Sequence, residues 1–170
     1  MRASLGNGLM FNITWLLIIY TQSSLLAPLL ALAHVGLHLV WLPRKRGEML
    51  YILIISLFGL ALDQLLFASG LFLLAGSVAF APIWLSCLWP VLATTSMHAF
   101  AGLQRRPLLA SLFGAFGGYG SYMLGTRLSA VEFGFSQAPL VIAAIWALLF
   151  PLMLWLAARL QQPSRSPDYA

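Results

Sequence analysis

The sequence predicts an all-α fold, a polytopic membrane bundle of six transmembrane helices with a glycine-rich fifth helix at its centre. Three observations carry this. Hydrophobic residues make up 61% of the 170 residues and charged ones only 8%, against about 25% charged in soluble domains. The apolar residues fall into successive runs of roughly the 17–25 residues that a helix needs to cross a bilayer. The stretch 107–127, PLLASLFGAFGGYGSYMLGTR, is long enough to cross, yet holds five glycines. Ala110, Gly114 and Gly118 recur every four residues, as do Gly117, Ser121 and Gly125. On a helix each set forms a row, and the rows lie on neighbouring faces. Small residues let another backbone approach, which drives association in lipid, where burying apolar surface gains little.

In chain order, the first span covers residues 5–21 and is the least apolar, with Asn7, Asn12 and Thr14. Gln22-Ser23-Ser24 links it to a second span at 25–42, where Pro28 sits in the first turn and its missing N–H costs little. The basic cluster Arg44-Lys45-Arg46-Gly47-Glu48 precedes the third span, 49–68. Residues 71–81 are apolar but too short to cross, so they read as interfacial or re-entrant. Pro82 opens the fourth span, 82–102, with Pro90 expected to kink it. Gln104-Arg105-Arg106 is the second basic loop, and Pro107 opens the fifth span. A polar link at 128–138 holding Glu132 leads to Pro139 and the sixth span, 140–160, with Pro151 as an interior kink. One transmembrane domain, 1–160, is thus followed by a tail, 161–170, expected to be disordered and cytoplasmic. Five spans are the alternative.

With six spans, eight of the nine Lys and Arg residues share one side and Arg127 stands alone opposite. Cytoplasmic loops carry that excess, so both termini are expected in the cytoplasm. The net charge of +5 is therefore a topology signal, and nucleic acid is not an expected partner. Cys87 is the only cysteine, which excludes an intramolecular disulfide and a cysteine metal cluster within one chain. Arg2 and the apolar residues after it resemble a signal peptide, but no A-x-A site follows and the next run is again apolar, so an uncleaved first span is expected.

Polar groups at membrane depth pair up or line cavities. Asp63 is the only acid inside a predicted span. It lies roughly 22 Å along the third helix from the basic loop, at the height of Tyr122, and Arg127 ends the fifth span just above. An Asp63–Arg127 contact with Tyr122 donating to Asp63 is expected, either as a clamp between spans or as a ligand site. His34 and His38 share a face of the second span, and His98 lies at the depth of His38, roughly 8 Å from the cytoplasmic end. Interhelical hydrogen bonds, a headgroup contact and a metal site are the readings, and the absence of a carboxylate at that depth argues against metal. Thr94, Thr95 and Ser96 are read as re-satisfying backbone freed by Pro90. No catalytic residue, metal site or cofactor is expected.

Trp15, His38, Gly59-Leu60-Ala61-Leu62-Asp63, Pro82-Ile83-Trp84-Leu85, Leu88-Trp89, Gly114 through Gly118, Tyr122 and Gly125 together resemble a bacterial domain-of-unknown-function family of small inner-membrane proteins from proteobacteria. The family pattern has a proline where this chain has Tyr119, so a span broken there in relatives is expected to be continuous here. The resemblance implies an inner-membrane location and a link to envelope lipid modification, and no activity. The expected function is a non-catalytic component binding membrane lipids or a membrane or lipid-modifying protein. Two alternatives are a small transporter or substrate-capture subunit with an outward-facing Asp63, Tyr122 and Arg127 site, and a membrane-embedded enzyme using His34, His38 and His98.

Overall fold

The computed structural model describes residues 2–76 and 80–162 of the chain. Of the expected tail, Gln161 closes the last helix, and residues 163–170 lie outside the described residues. The elements run α1 (Arg2–Thr21), α2 (Leu26–Trp41), α3 (Glu48–Ala68), β1 (Phe72–Leu74), α4 (Ile83–Ser86), α5 (Leu88–Ala93), α6 (Pro107–Leu128), β2 (Val131–Phe133) and α7 (Ala138–Gln161), with one 3-10 turn at Ala101–Leu103. Boundaries follow local chemistry. Ser23 Oγ accepts from the N–H groups of Leu25 and Leu26 where α2 begins. Gly47 turns the chain into α3 at a φ of 69°, a conformation that favours glycine, with Leu160 of α7 packed where a Cβ would lie. Prolines open α6 and α7, where a missing N–H is harmless.

Three helices, at Ala3–Thr21, Glu48–Ala68 and Ala138–Gln161, are long and apolar enough to cross a membrane. Their outward faces are apolar too: Leu9, Leu16, Leu53, Leu57, Leu148 and Leu152 are all exposed. The α2 helix has 16 residues, short of the roughly 17 needed to cross.

The structure corrects the sequence reading at three places. The fold is mostly helical, as expected, but it also holds a small sheet. β1 and β2 pair antiparallel in a two-stranded sheet, Phe72 opposite Phe133, Leu73 opposite Glu132 and Leu74 opposite Val131. Part of the stretch read as interfacial or re-entrant is thus a strand, paired with the link read as merely polar. The fourth run is not one kinked helix either. It breaks into α4, α5 and a string of tight turns, in which the N–H groups of Thr95, Ser96 and His98 bond three residues back. Thr94 and Thr95 turn their hydroxyls onto the carbonyls of Val91 and Leu92, which competes with regular helix.

The third correction concerns the centre. The contacts of α6 are almost all with α7, whereas the broken segment 82–103 touches α1, α2 and α3. That segment carries the buried Trp84, Trp89, Val91, Thr94, Thr95, Ser96 and Met97. A backbone that has left the helical pattern must be enclosed by protein wherever water is absent, so the broken segment takes the middle and the regular helix α6 goes to the edge. Its partners descend α3 in order. Gln64 hydrogen-bonds the backbone of Ala81 in both directions. Asp63 accepts from Ser86 and Trp89. The indole of Trp89 lies where a Cβ on Gly59 would be. Tyr51 donates to Ser96, and Glu48 accepts from His98.

The glycine rows divide. Ala110, Gly114 and Gly118 are buried. Trp146 and Phe150 of α7 occupy the space that side chains on Gly114 and Gly118 would need. Gly117 and Ser121 are exposed, and Gly117 and Gly125 have room for a Cβ in ordinary contact. Pro151 stays inside a continuous α7. It leaves the carbonyl of Ala147 without its helical donor, and Ser111 of α6 donates to that carbonyl instead.

Gly118→Ala is therefore expected to destabilise the protein by about 1–3 kcal/mol, the usual cost of overpacking. Gly120, with open space around it, is expected to accept alanine with no loss, since alanine is the better helix former. Thermal unfolding in detergent compares the two, and equal melting temperatures would contradict the close approach at Gly118.

Candidate functional site

A cleft of about 390 Å³ runs between α1 and α6. Gly8, Phe11, Asn12, Trp15 and Ile19 form its α1 wall, at the three- and four-residue spacing of one helical face. Phe113, Gly117, Ser121, Tyr122 and Gly125 form the α6 wall, which Ser129 extends just beyond the helix. Trp84, Leu88, Trp89 and Trp146 floor it. Trp89 and Trp146 stack with ring centroids 5.6 Å apart. From Gly8 to Ile19 the α1 wall is about 16 Å long by helical rise, close to half of the roughly 30 Å hydrocarbon core of a bilayer.

One carboxylate lines this cleft. Asp63 is 1% exposed. Its Oδ2 accepts from Ser86 Oγ and from Trp89 Nε1, both at 2.9 Å. Its Oδ1 is buried and is the one such side-chain atom without a partner among the described residues. The expected pairing with Arg127 does not occur. Arg127 is exposed on the last turn of α6 and makes no ion pair among the described residues. The broken segment stands between α3 and α6, so its Ser86 and Trp89 reach Asp63 first. Tyr122 lines the same cleft without bonding Asp63, its ring stacked on Phe72 at 5.2 Å.

The histidines separate as well. Thr94 spends its hydroxyl hydrogen on Val91 O at 2.7 Å, so His34 Nε2 donates to Thr94 Oγ1 at 3.0 Å. His34 Nδ1 then accepts from Thr14 at 2.9 Å. Both ring nitrogens are committed, and His34 is a neutral tie between α1, α2 and the broken segment. His38 and His98 meet elsewhere. Both direct Nε2 at Glu48 Oε1, at 2.9 and 2.7 Å, with their rings edge-on at 4.9 Å. Lys45 N–H holds the other carboxylate oxygen at 2.9 Å, and Asn7 Nδ2 lies 3.2 Å from His38 Nδ1. A carboxylate does lie at the depth of these histidines, contrary to the sequence expectation. Glu48 was grouped with the loop charges, yet it is the first residue of α3 and is buried. Its position ten residues after His38, across a link short enough to fold back, was the available signal.

A Ser–His–Asp triad does not form, since Ser96 bonds Tyr51, His98 bonds Glu48 and Asp63 bonds Ser86 and Trp89.

The family model described as protein of unknown function (DUF2878) matches residues 4–152. The chain belongs to the DUF2878 family. The match takes in α1 through most of α7, hence the cleft, Asp63 and the Glu48 cluster. In this DUF2878 chain α6 continues unbroken through Tyr119. No curated protein matches the chain, and no solved structure does.

Glu48→Ala removes the acceptor of two imidazole N–H groups and one backbone N–H. Each buried group left unpaired costs about 1–3 kcal/mol, so a total loss of at least about 2 kcal/mol is expected. Glu48→Gln keeps a carbonyl acceptor and is expected to lose less. Unfolding in detergent measures both, and an alanine variant as stable as the parent would show that the cluster does not hold the helices together.

Proposed function

We propose that this DUF2878 protein is an integral membrane protein that holds a lipid-like amphiphile in the α1–α6 cleft, with Asp63 receiving its polar donor group. The observation that carries the reading is a buried, unpartnered carboxylate oxygen at the wall of a long apolar cleft. Uncompensated buried carboxylate is costly. A hydroxyl or amine on the occupant supplies the missing hydrogen bond, and the aromatic walls take an apolar chain of about one leaflet's length.

In this reading the chain crosses the membrane six times, α2 together with its flanking residues Leu25 and Leu42 reaching the length that a crossing needs. The broken segment counts as one crossing because its partners cover α3 from Gln64 down to Glu48, a rise of about 24 Å. Gln22 bonds Leu128 at the end of α6 and Ala130 in the link after it, at the same end as the sheet. Gly47 meets Leu160, and Gln161 meets Gln104, at the other end. That second end carries Arg44, Lys45, Arg46, Arg105 and Arg106, and is assigned to the cytoplasm of a bacterial inner membrane, with both termini there. The protein's place is then a non-catalytic, lipid-binding component of envelope lipid metabolism, alongside a lipid-modifying partner. The substrate-capture alternative loses Arg127 from its site, and what is left of that site, Asp63 and Tyr122, is this cleft. The enzyme alternative loses His34 to Thr14 and Thr94.

The full chain is extracted in native-membrane nanodiscs and its bound lipids are identified by mass spectrometry. Gly117→Leu fills the cleft without a backbone clash and is expected to abolish the enriched species. In Asp63→Asn the amide oxygen must serve Ser86 and Trp89, which turns an NH₂ donor toward the ligand's own donor. A loss of roughly tenfold or more is expected, since hydrogen bonds to charged groups are worth about 1.5–3 kcal/mol. Gly120→Leu, on the open face, is the control. The same lipid profile in all three variants would end the proposal.

A further inference from the structure

The Glu48 cluster lies outside the cleft, whose lining includes none of Glu48, His38 and His98. We infer that these three side chains form a binding site for a divalent transition metal of the zinc class. Their ligating atoms, His38 Nε2, His98 Nε2 and Glu48 Oε1, all lie within 4.8 Å of one another, and all three residues are buried. Two imidazoles and one carboxylate are a donor set that zinc uses, with a water in the fourth position.

The geometry is close to what the ion requires. Zinc bonds nitrogen and oxygen at about 2.0–2.2 Å in a tetrahedron, which sets neighbouring ligand atoms about 3.3 Å apart. The two His–Glu edges, 2.9 and 2.7 Å, need to open by roughly half an ångström to admit an ion, and the edge between the two imidazole nitrogens, within 4.8 Å, needs to settle at the same spacing. Each imidazole presents the same nitrogen to the same oxygen, and the rings stand at 85° rather than stacked, so that in the tautomer protonated on Nδ1 both Nε2 lone pairs converge.

The surroundings supply the supporting contacts that ligands need. Lys45 N–H fixes the free carboxylate oxygen. The amide of Asn7 faces His38 Nδ1. On metal binding each histidine carries its proton on Nδ1, and the Asn7 amide turns its oxygen to accept that of His38, giving up the 3.3 Å contact with Ala99 N–H. No proton has to leave the protein.

The three ligands come from the last turn of α2, the first residue of α3 and the turns after α5. An ion there joins three elements at the end of the molecule that carries the basic loop 44–46. Its role is to hold that end together, and the site is too enclosed to offer a substrate a path.

The full chain, without a polyhistidine tag, is expressed with Zn²⁺ in the medium, purified in detergent without chelator and analysed by mass spectrometry for metal. About one ion per chain is expected. Co²⁺ in its place is expected to give the intense visible bands of a four-coordinate site. Chelation is expected to lower the melting temperature by roughly 5–10 °C, the shift that an ion present at about 100 times its Kd produces in a domain of this size. His98→Gln keeps a donor toward Glu48 and removes the imidazole. It is expected to bind no metal and to melt at the same temperature with and without chelator. Wild-type protein with no ion above a detergent blank, no cobalt bands and no response to chelator or to added Zn²⁺ would overturn the assignment and leave a purely hydrogen-bonded cluster.

Discussion

A ladder of polar contacts fastens α3 to the broken segment along the whole of their shared length. Gln64 takes the backbone of Ala81, Asp63 takes Ser86 and Trp89, Tyr51 takes Ser96 and Glu48 takes His98. Partners rise along one element as they fall along the other, so the two run antiparallel. The ladder is needed because the segment stops being helical partway. Wherever lipid replaces water, an interrupted backbone can persist only if protein encloses it and satisfies it. The groups that bond the interrupted backbone itself are Gln64 of α3, Asn7 of α1, the segment's own Thr94 and Thr95, and Gln104 just beyond it.

The position of everything else follows. With an irregular segment in the middle, the helix that needs least help, α6, is left on the outside. It leans on α7 through Gly114 and Gly118, and its second small-residue row faces α1 across open space. The cleft is that space. A bulky side chain in place of Gly117 or Gly125 would have closed it at no cost to the α6–α7 contact. The prolines are handled in two ways. Pro90 lies in the segment that breaks. Pro151 lies in a helix that does not, because Ser111 is at hand to bond the carbonyl it strands.

Much of the fold was legible in the sequence, and for identifiable reasons. The runs at 49–68 and 107–127 match α3 and α6 within a residue because charge, glycine and proline mark their ends. The sheet was not legible. Each strand has only three residues, too few to show alternation, and the pairing joins positions some sixty residues apart. The centre was misread because glycine spacing shows that a helix can be approached closely, not from how many sides. Trp146 and Phe150 fill one row of α6 from a single neighbour. The site was half legible. Asp63, His38 and His98 stood out as polar groups in apolar runs. Glu48 did not, since four charged or glycine neighbours made it look like loop, and its spacing of ten residues from His38 was the one sign that it points inward.

The same helix, α3, carries both buried carboxylates of the described residues, and their partners differ in kind. Glu48 is surrounded by groups that suffice for it: two imidazoles on one oxygen and a backbone N–H on the other. Asp63, which lines the cleft, is provided for on one oxygen only, and the other is buried without a partner. Fifteen residues of helix, about 22 Å by helical rise, separate them, with the ladder rung at Tyr51 and the packed Gly59 between. A group that served only to dock α3 on the broken segment would have both oxygens answered from within the protein, as Glu48 has. Asp63 already has its docking contacts through Oδ2, so the burial of Oδ1 adds cost without adding attachment. The occupant proposed for the cleft supplies the hydrogen bond that Oδ1 lacks, and the binding proposal therefore rests on Asp63, the one buried side chain among the described residues with an unpartnered polar atom.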